Sequence, residues 1–330
     1  MSLDTRLNSH DKGGVGGVAG VLATAEKVRS AVESVIEGKS ETVRIALTVL
    51  LAEGHLLIED VPGVGKTMLA KALGRSVDCQ VNRVQFTPDL LPSDITGVSV
   101  YHQELHEFQF QPGPVFAHIV LGDEINRASP KTQSALLECM EEGQVSVDGV
   151  TRSLERPFMV VATQNPGDME GTYPLPEAQR DRFMARIAVG YPSAQAELDM
   201  IDSHSSQSPL ESIRPAASTH DVQAMIAEVR SIHVSPAVKR YVVDLVAATR
   251  TSSALRLGAS PRATLHLVRA ARAYAALDNR GHVLPDDVQA LAVPVLAHRL
   301  LPSPEAQQQQ RLPEQVVSDL VSRLPVPDRR

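Results

Sequence analysis

The sequence predicts an α/β fold, a largely parallel sheet with helices on both faces, followed by a helical region. Three observations carry that expectation. Helical and strand patterns alternate through the first half of the chain, as a parallel sheet with crossover helices requires. A glycine-rich turn, Gly63-Val64-Gly65-Lys66-Thr67, joins a short apolar run to a helical one. Beyond Tyr191-Pro192 the apolar spacing is helical only. The length of 330 residues allows one large domain or two smaller ones, and 43% hydrophobic content is enough for a sizeable core.

Taken in order, residues 1–17 contain Gly13, Gly14, Gly16 and Gly17 without an apolar h-region and read as a flexible lead-in. Val21, Ala25, Val28, Val32, Val35 and Ile36 recur at helical spacing. Ser40 reads as the N-cap of a second helix running to Glu53, with Gly54 as its stop. His55–Glu59 is long enough for one buried strand, and a helix from Lys66 to about Arg75 follows the glycine turn. Further strands are expected at Val81–Phe86, His118–Gly122 and Phe158–Thr163. Thr96–Val100 and Phe108–Gln111 form one expected hairpin; Gln144–Val147 and Val150–Leu154 form another around Asp148-Gly149, a pair suited to a type I′ turn. Ser129-Pro130, Ser235-Pro236 and Ser260-Pro261 mark helix starts, with serine at the cap and proline in the first turn. Gln307–Gln310 reads as a solvated linker or helix extension. The expected division is a lead-in at 1–17, an α/β core at 18–190, a helical domain at 191–325 and a tail at 326–330.

The net charge of −7 and eleven aromatics (six Phe, five Tyr, no Trp) argue against a dedicated nucleic-acid binder or a base-stacking platform. Cys79 and Cys139 have no CxxC spacing and read as reduced, buried thiols. His102 and His106 share the first hairpin with no third ligand at useful spacing, which favours solvated side chains over a metal site. Arg262, His266 and Arg269 fall on one helical face, read as solvated or as an interface. No Gly-x-Ser-x-Gly elbow is present. The most apolar stretch, Ile45–Ile58, is interrupted by Glu53, Gly54 and His55 and is too short for a membrane span, so a cytoplasmic protein without membrane insertion is expected.

The local signal with most chemistry is Asp60-Val61-Pro62-Gly63-Val64-Gly65-Lys66-Thr67, between a strand and a helix as a phosphate-binding loop requires. Glycines let backbone N–H groups cradle oxyanions, Lys66 would reach the β- and γ-phosphates, and the Thr67 hydroxyl would coordinate Mg2+. The motif's first glycine is replaced by Asp60. Aspartate tolerates positive φ better than most residues, provided its carboxylate points away from the phosphates. Fifty-seven residues after Lys66, the run His118-Ile119-Val120-Leu121-Gly122 ends in Asp123-Glu124. A buried strand would put these acids beside the loop of the neighbouring strand, Asp123 on the metal shell and Glu124 on the attacking water. A third strand ends at Asn165, whose side chain would lie between the two motif strands and could orient that water.

These blocks resemble the MoxR family of AAA+ ATPases. The similarity runs from about Val21 to Leu300 through Leu57–Thr67, Gln85–Gly97, Gly122–Ala128, Ala162–Pro166, Glu170–Gln179, Asp181-Arg182-Phe183 and Ser260-Pro261-Arg262-Ala263. The resemblance implies an AAA+ core with two inserted hairpins and a helical lid. It implies ATP and Mg2+ as cofactors, held by Gly38, Asp60, Gly63, Val64, Gly65, Lys66, Thr67, Met68 and Asp123, with Thr67 and Asp123 as the metal ligands. It makes Asn165 sensor 1, Arg182 the arginine finger reaching a neighbouring subunit (Arg180 is the rival) and Arg262 sensor 2. Val35-Ile36-Glu37-Gly38-Lys39 matches the pre-helix box, with lysine where the family commonly has glutamine, and its backbone would contact adenine. A homo-oligomeric ring, taken as a hexamer, is expected to remodel or metallate a protein client with a von Willebrand factor A domain partner. A DNA-remodelling motor and a chelatase-type metal-insertion motor share the core and stand as alternatives. Nine of the eleven aromatics fall between residues 86 and 191, which makes Tyr101, Phe108 and Phe110 the first candidates for client contact, unless the hairpin packs them on its own core.

Overall fold

The computed structural model describes residues 17–36, 38–61, 63–165, 172–191, 195, 198 and 209–327. Residues 1–16 of the expected lead-in, together with Glu37, Pro62, Pro166, Glu170, Gly171 and Pro192, lie outside the described residues. A five-stranded sheet is formed by β1 (Leu56–Glu59), β2 (Val81–Gln85), β3 (Ile119–Asp123), β4 (Met159–Gln164) and β5 (Ala185–Ile187). Its order is β2-β3-β4-β1-β5 and every neighbouring pair is parallel. All of β3 is buried, and so is β4 up to its last residue, as befits central strands covered on both faces. Leu56 is in register with Val161 on one side and Ala185 on the other.

This order corrects one expectation. The acidic strand β3 is not the neighbour of the loop strand β1; β4 lies between them. The expected position of Asn165 between the two motif strands follows from the same order. Strand β5 escaped the sequence reading because three residues are too few to show a period.

Each face of the sheet has its own apolar cluster. On one side Leu57, Val84, Phe86, Val120 and Phe183 pack with Leu136 and Leu137 of the helix Pro130–Glu142. On the other, Leu56, Ile58, Ile119 and Leu121 pack under helices Gly17–Glu33, Ser40–Leu51 and Lys66–Ser76. That second cluster continues without a break into the lid through Leu267, Val288 and Leu291. The lid therefore shares hydrophobic burial with the core, where each fully buried aliphatic side chain contributes about 1.5–3 kcal/mol.

The lid is built from helices Thr219–Ser231, Pro236–Thr251, Pro261–Leu277, Pro285–Leu296 and Pro313–Arg323. A small antiparallel ribbon, Leu255–Leu257 with Leu301–Pro302, interrupts the expected run of helices. The Ser-Pro signals hold: Ser129, Ser235 and Ser260 accept N–H bonds from Thr132, Val238 and Ala263, each with proline in the first turn. The second helix departs from expectation at both ends. Ser40 is its first helical residue, Lys39 occupies the cap position without a side-chain capping bond to the helix, and the helix stops at Leu51. Glu53 has φ +53°, and Gly54 leaves room for Met184, whose side chain would lie 2.6 Å from any Cβ there.

Both hairpins form, Gly97–His102 with Glu107–Pro112 and Gln144–Val147 with Val150–Ser153. In the second, Asp148 (φ +53°) and Gly149 (φ +76°) supply the two left-handed residues a type I′ turn needs. Among the described residues, no helix is long and apolar enough to cross a membrane.

Candidate active site

The loop after β1 carries glycines at φ +84° (Gly63) and +88° (Gly65), left-handed conformations that a Cβ would strain. Gly65 caps the helix Lys66–Ser76, whose first N–H groups lack intrahelical partners and favour an anion. Val64 is buried in the core cluster and the half-buried Met68 packs against it. The Lys66 ammonium donates to the Asp60 carbonyl at 2.5 Å. Burial lowers its pKa, against the opposing pull of Asp60, Asp123 and Glu124.

Asp60 is accommodated differently from the sequence expectation. It is not among the positive-φ residues. Its carboxylate accepts the N–H of Val61 at 2.8 Å and of Gly190 at 2.5 Å. The charge is thereby turned toward the segment leaving β5. Beside it, the Lys39 ammonium donates to the Tyr191 carbonyl at 2.9 Å. The pre-helix residues Gly38 and Lys39 are thus tied to the same corner as the phosphate loop.

Asp123 ends β3 almost fully buried. It accepts from Thr67 Oγ1 at 3.3 and 3.4 Å, from Thr163 Oγ1 at 3.1 Å and from Arg83 Nε at 2.7 Å. A hydroxyl and a carboxylate this close are hard oxygen donors suited to Mg2+, so Thr67 and Asp123 fit the metal role assigned to them. Glu124 stands in the left-handed region (φ +55°), and its N–H donates to Thr163 Oγ1 at 3.0 Å. Its carboxylate accepts from Gln85 Nε2 and Arg127 Nη1, each at 3.3 Å. Asn165 follows β4 at the same edge of the sheet and is 9% exposed.

The two arginines assigned to the transition state lie elsewhere. In a parallel sheet the phosphate loop leaves the carboxyl end of β1, whereas Arg182 precedes the amino end of β5, next to the amino end of β1. A four-residue strand, about 13 Å long, separates these edges. Arg182 pairs with Glu141 at 3.1 Å, and Arg262 pairs with the same carboxylate. Arg262 also reaches Asp181 at 3.3 Å. The resemblance makes Arg262 sensor 2, an arginine beside a phosphate; the fold sets it beside Arg182, away from its own chain's phosphate loop. Arg180 ends the short helix Glu177–Arg180, and its buried Nε has no hydrogen-bond partner among the described residues. The lid-helix face read as solvated or as an interface meets the core through Arg269, which donates to the carbonyls of Ala52 and Glu53, while His266 accepts from Arg299 within the lid.

The hairpin aromatics divide. Phe108 is 72% exposed and meets Tyr101 edge-on at 5.3 Å. Phe110 is packed between Phe116 and the Arg152 guanidinium, so it supports the hairpin and leaves Tyr101 and Phe108 as its exposed aromatics.

Arg83, Gln85, Thr163, Asp181, Glu141 and Arg299 carry no role in the sequence reading. Two had a signal. Thr163 is the first polar residue of an otherwise apolar strand, and His298-Arg299 interrupts the apolar run Val293–Leu301. The others depend on which loops the fold brings together.

A glycine-rich loop between strand and helix, an acidic strand end and a polar strand end on a β2-β3-β4-β1-β5 sheet, with a helical lid behind, define an AAA+ nucleotide-binding protein. The family model described as ATPase family associated with various cellular activities (AAA) matches residues 55–185, and the AAA lid domain model matches residues 247–320. The chain is 48% identical over 299 residues to the uncharacterized protein YeaC of Bacillus subtilis, covering 91% of this chain and 93% of that one. It is 41% identical to Chaperone MoxR1 of Mycobacterium tuberculosis (96% of this chain, 85% of the relative). It is 33% identical to Protein MoxR of Paracoccus denitrificans (90% and 95%). A crystal structure from Cytophaga hutchinsonii, described as a candidate ATPase, superposes with a TM-score of 0.88 at 36% identity, covering 94% of this chain and 97% of that one. The chain belongs to the MoxR family of AAA+ ATPases.

Proposed function

We propose that this chain hydrolyses ATP to ADP and phosphate with Mg2+, and does so only when assembled with copies of itself into a ring, taken as a hexamer. The observation that carries the reading is the separation of Lys66, Thr67 and Asp123 at one edge of the sheet from Arg182 and Arg262 at the other. One chain supplies half of what phosphoryl transfer needs, and a neighbour's opposite edge supplies the rest. Lys66 would neutralise phosphate charge and Thr67 with Asp123 would hold the metal. Glu124 would take the proton of the attacking water, which Asn165 helps to orient. Arg182 and Arg262 would stabilise charge on the neighbour's transferring phosphoryl group. When bound, Mg2+ neutralises charge on the β- and γ-phosphates.

The remainder rests on the family: a chaperone-like motor in the cytoplasm that remodels or helps metallate a protein client with a von Willebrand factor A domain partner. The exposed Tyr101 and Phe108 are its first candidate client contacts.

Two variants test the mechanism. Glu124→Gln should bind ATP as the parent does and slow turnover by about 100-fold or more. Arg182→Ala should also keep binding while losing hydrolysis, and adding a Lys66→Ala chain, dead at its own site but with an intact arginine, should restore it. Parental turnover by either single variant, or no restoration on mixing, would overturn the reading.

A further inference from the structure

Arg299 ends the turn Ala297–Arg299 of the lid and is 3% exposed. Its Nη1 donates to the Asp181 carboxylate at 2.7 Å and to the Asp181 carbonyl at 3.0 Å. Its Nη2 donates to the Phe183 carbonyl at 2.5 Å and to His266 Nδ1 at 2.7 Å, with the Met184 carbonyl at 3.4 Å. Its Nε closes on the Val295 carbonyl of the lid helix at 2.8 Å. One guanidinium thus holds residues 181, 183 and 184 on either side of Arg182, whose own side chain turns to Glu141. Two further lid groups grip the same segment. Ser260 Oγ donates to the Asp181 carboxylate at 2.8 and 2.9 Å, and His298 Nε2 donates to the Phe183 carbonyl at 3.1 Å.

A buried cation is costly unless its partners compensate it. Burial pulls the Arg299 pKa down to about 10, which the Asp181 carboxylate opposes, so the side chain stays charged at neutral pH. An apolar side chain would join lid to core at less expense. What the guanidinium adds is direction: a planar fork fixes several acceptors at once, where an ammonium is a point charge.

We propose that Arg299, acting through Asp181 and the carbonyls of Phe183 and Met184, is a positioning residue that sets Arg182 for the neighbouring subunit and makes that setting follow the lid. The proposal rests on the reading of Arg182 as an arginine acting across the subunit interface. Lid movement carries Arg299, Ser260 and His298 together, and the backbone around Arg182 must follow because these groups hold it from both sides. The nucleotide state that moves one subunit's lid therefore sets catalysis in the next subunit.

The test is Arg299→Lys in the full-length chain, with Asp181→Asn as a second variant that keeps the fork and all four of its carbonyl partners. Each should keep the KM for ATP within about twofold and lower kcat about 10- to 100-fold, the size of a slight misplacement of a catalytic group. The discriminating readout is mixing. A Lys66→Ala chain restores turnover to an Arg182→Ala chain. Adding Arg299→Lys to the Lys66→Ala chain should abolish that restoration, whereas adding it to the Arg182→Ala chain should preserve it. A merely structural role would lower both mixtures alike, and that result would overturn the proposal. If Arg299→Lys melts early, Asp181→Asn is used in the same two mixtures with the same expected asymmetry. If Arg182→Ala alone keeps parental turnover, the interface reading itself fails. If Arg182→Ala loses activity while both Arg299→Lys and Asp181→Asn retain it, only the proposal about Arg299 fails.

Discussion

His55 lies where the chain enters β1, and its protonation is coupled to stability. Its Nδ1 accepts the Val160 N–H at 3.0 Å, so Nε2 carries the proton and donates to the Met140 carbonyl at 3.0 Å. The neutral ring thereby satisfies one strand and the end of the helix Pro130–Glu142. Protonation would put a second N–H against the Val160 N–H, in a buried setting already facing Arg269 and Arg156. Burial is the main reason that the pKa falls from 6.5 to about 4; the two arginines add to it, and the Met140 bond opposes it. Because the folded value lies below the unfolded one, His55 contributes stability that is present above pH 6.5 and is lost as pH falls toward 4. At about 1.4 kcal/mol per unit, the full loss is about 3 kcal/mol, and about 2 kcal/mol of it falls between pH 7 and pH 5. The perturbation is His55→Asn, whose amide offers one donor and one acceptor but does not titrate. Urea unfolding of both chains at pH 7 and pH 5 gives the comparison. His266 and His298, whose pKa values burial also lowers, leave some pH dependence in the variant, so the quantity that matters is the difference between the two slopes. The parent should lose about 2 kcal/mol more than His55→Asn over this interval. Equal losses would show that His55 does not carry the effect.

Two further outcomes follow from local geometry. Asp60→Ala leaves the N–H groups of Val61 and Gly190 without their charged acceptor, and since the site is half-buried the expected cost is about 2 kcal/mol, read as a lower urea midpoint; an unchanged midpoint would mean that water replaces the carboxylate without loss. Gly97→Ala puts a Cβ 2.3 Å from the Gln111 carbonyl oxygen at φ +94°, so the first hairpin should be destabilised by about 3 kcal/mol or displaced. Parental proteolytic resistance across residues 97–112 of that variant would contradict this.

Much of the α/β core was legible because its signals are local. Near-continuous apolar runs announce buried strands, Ser-Pro pairs announce helix starts, and Asp148-Gly149 announces its turn through two left-handed residues. The phosphate loop and the acids at 123–124 were legible for the same reason, since each is a short contiguous segment whose spacing carries its chemistry. Strand β5, the lid ribbon and the true ends of the second helix were not. The first two are too short for periodicity, and the helix end depends on Gly54 making room for Met184, a residue 130 positions away.

By itself the sequence determined which groups are available for the proposed chemistry: a glycine loop, a hydroxyl and a carboxylate, a second acid and several arginines. Only the tertiary structure decided where these groups stand. It put β4 between the two motif strands and drew Asp123 under Thr67, Thr163 and Arg83. It turned the Asp60 carboxylate onto Gly190 and set Arg182 and Arg262 on one carboxylate at the edge opposite Lys66. The physical reason is that a motif is read from neighbours along the chain, whereas the direction of a side chain is fixed by strand order and by buried partners such as Arg299. Those partners come from distant segments, and no local pattern records their meeting.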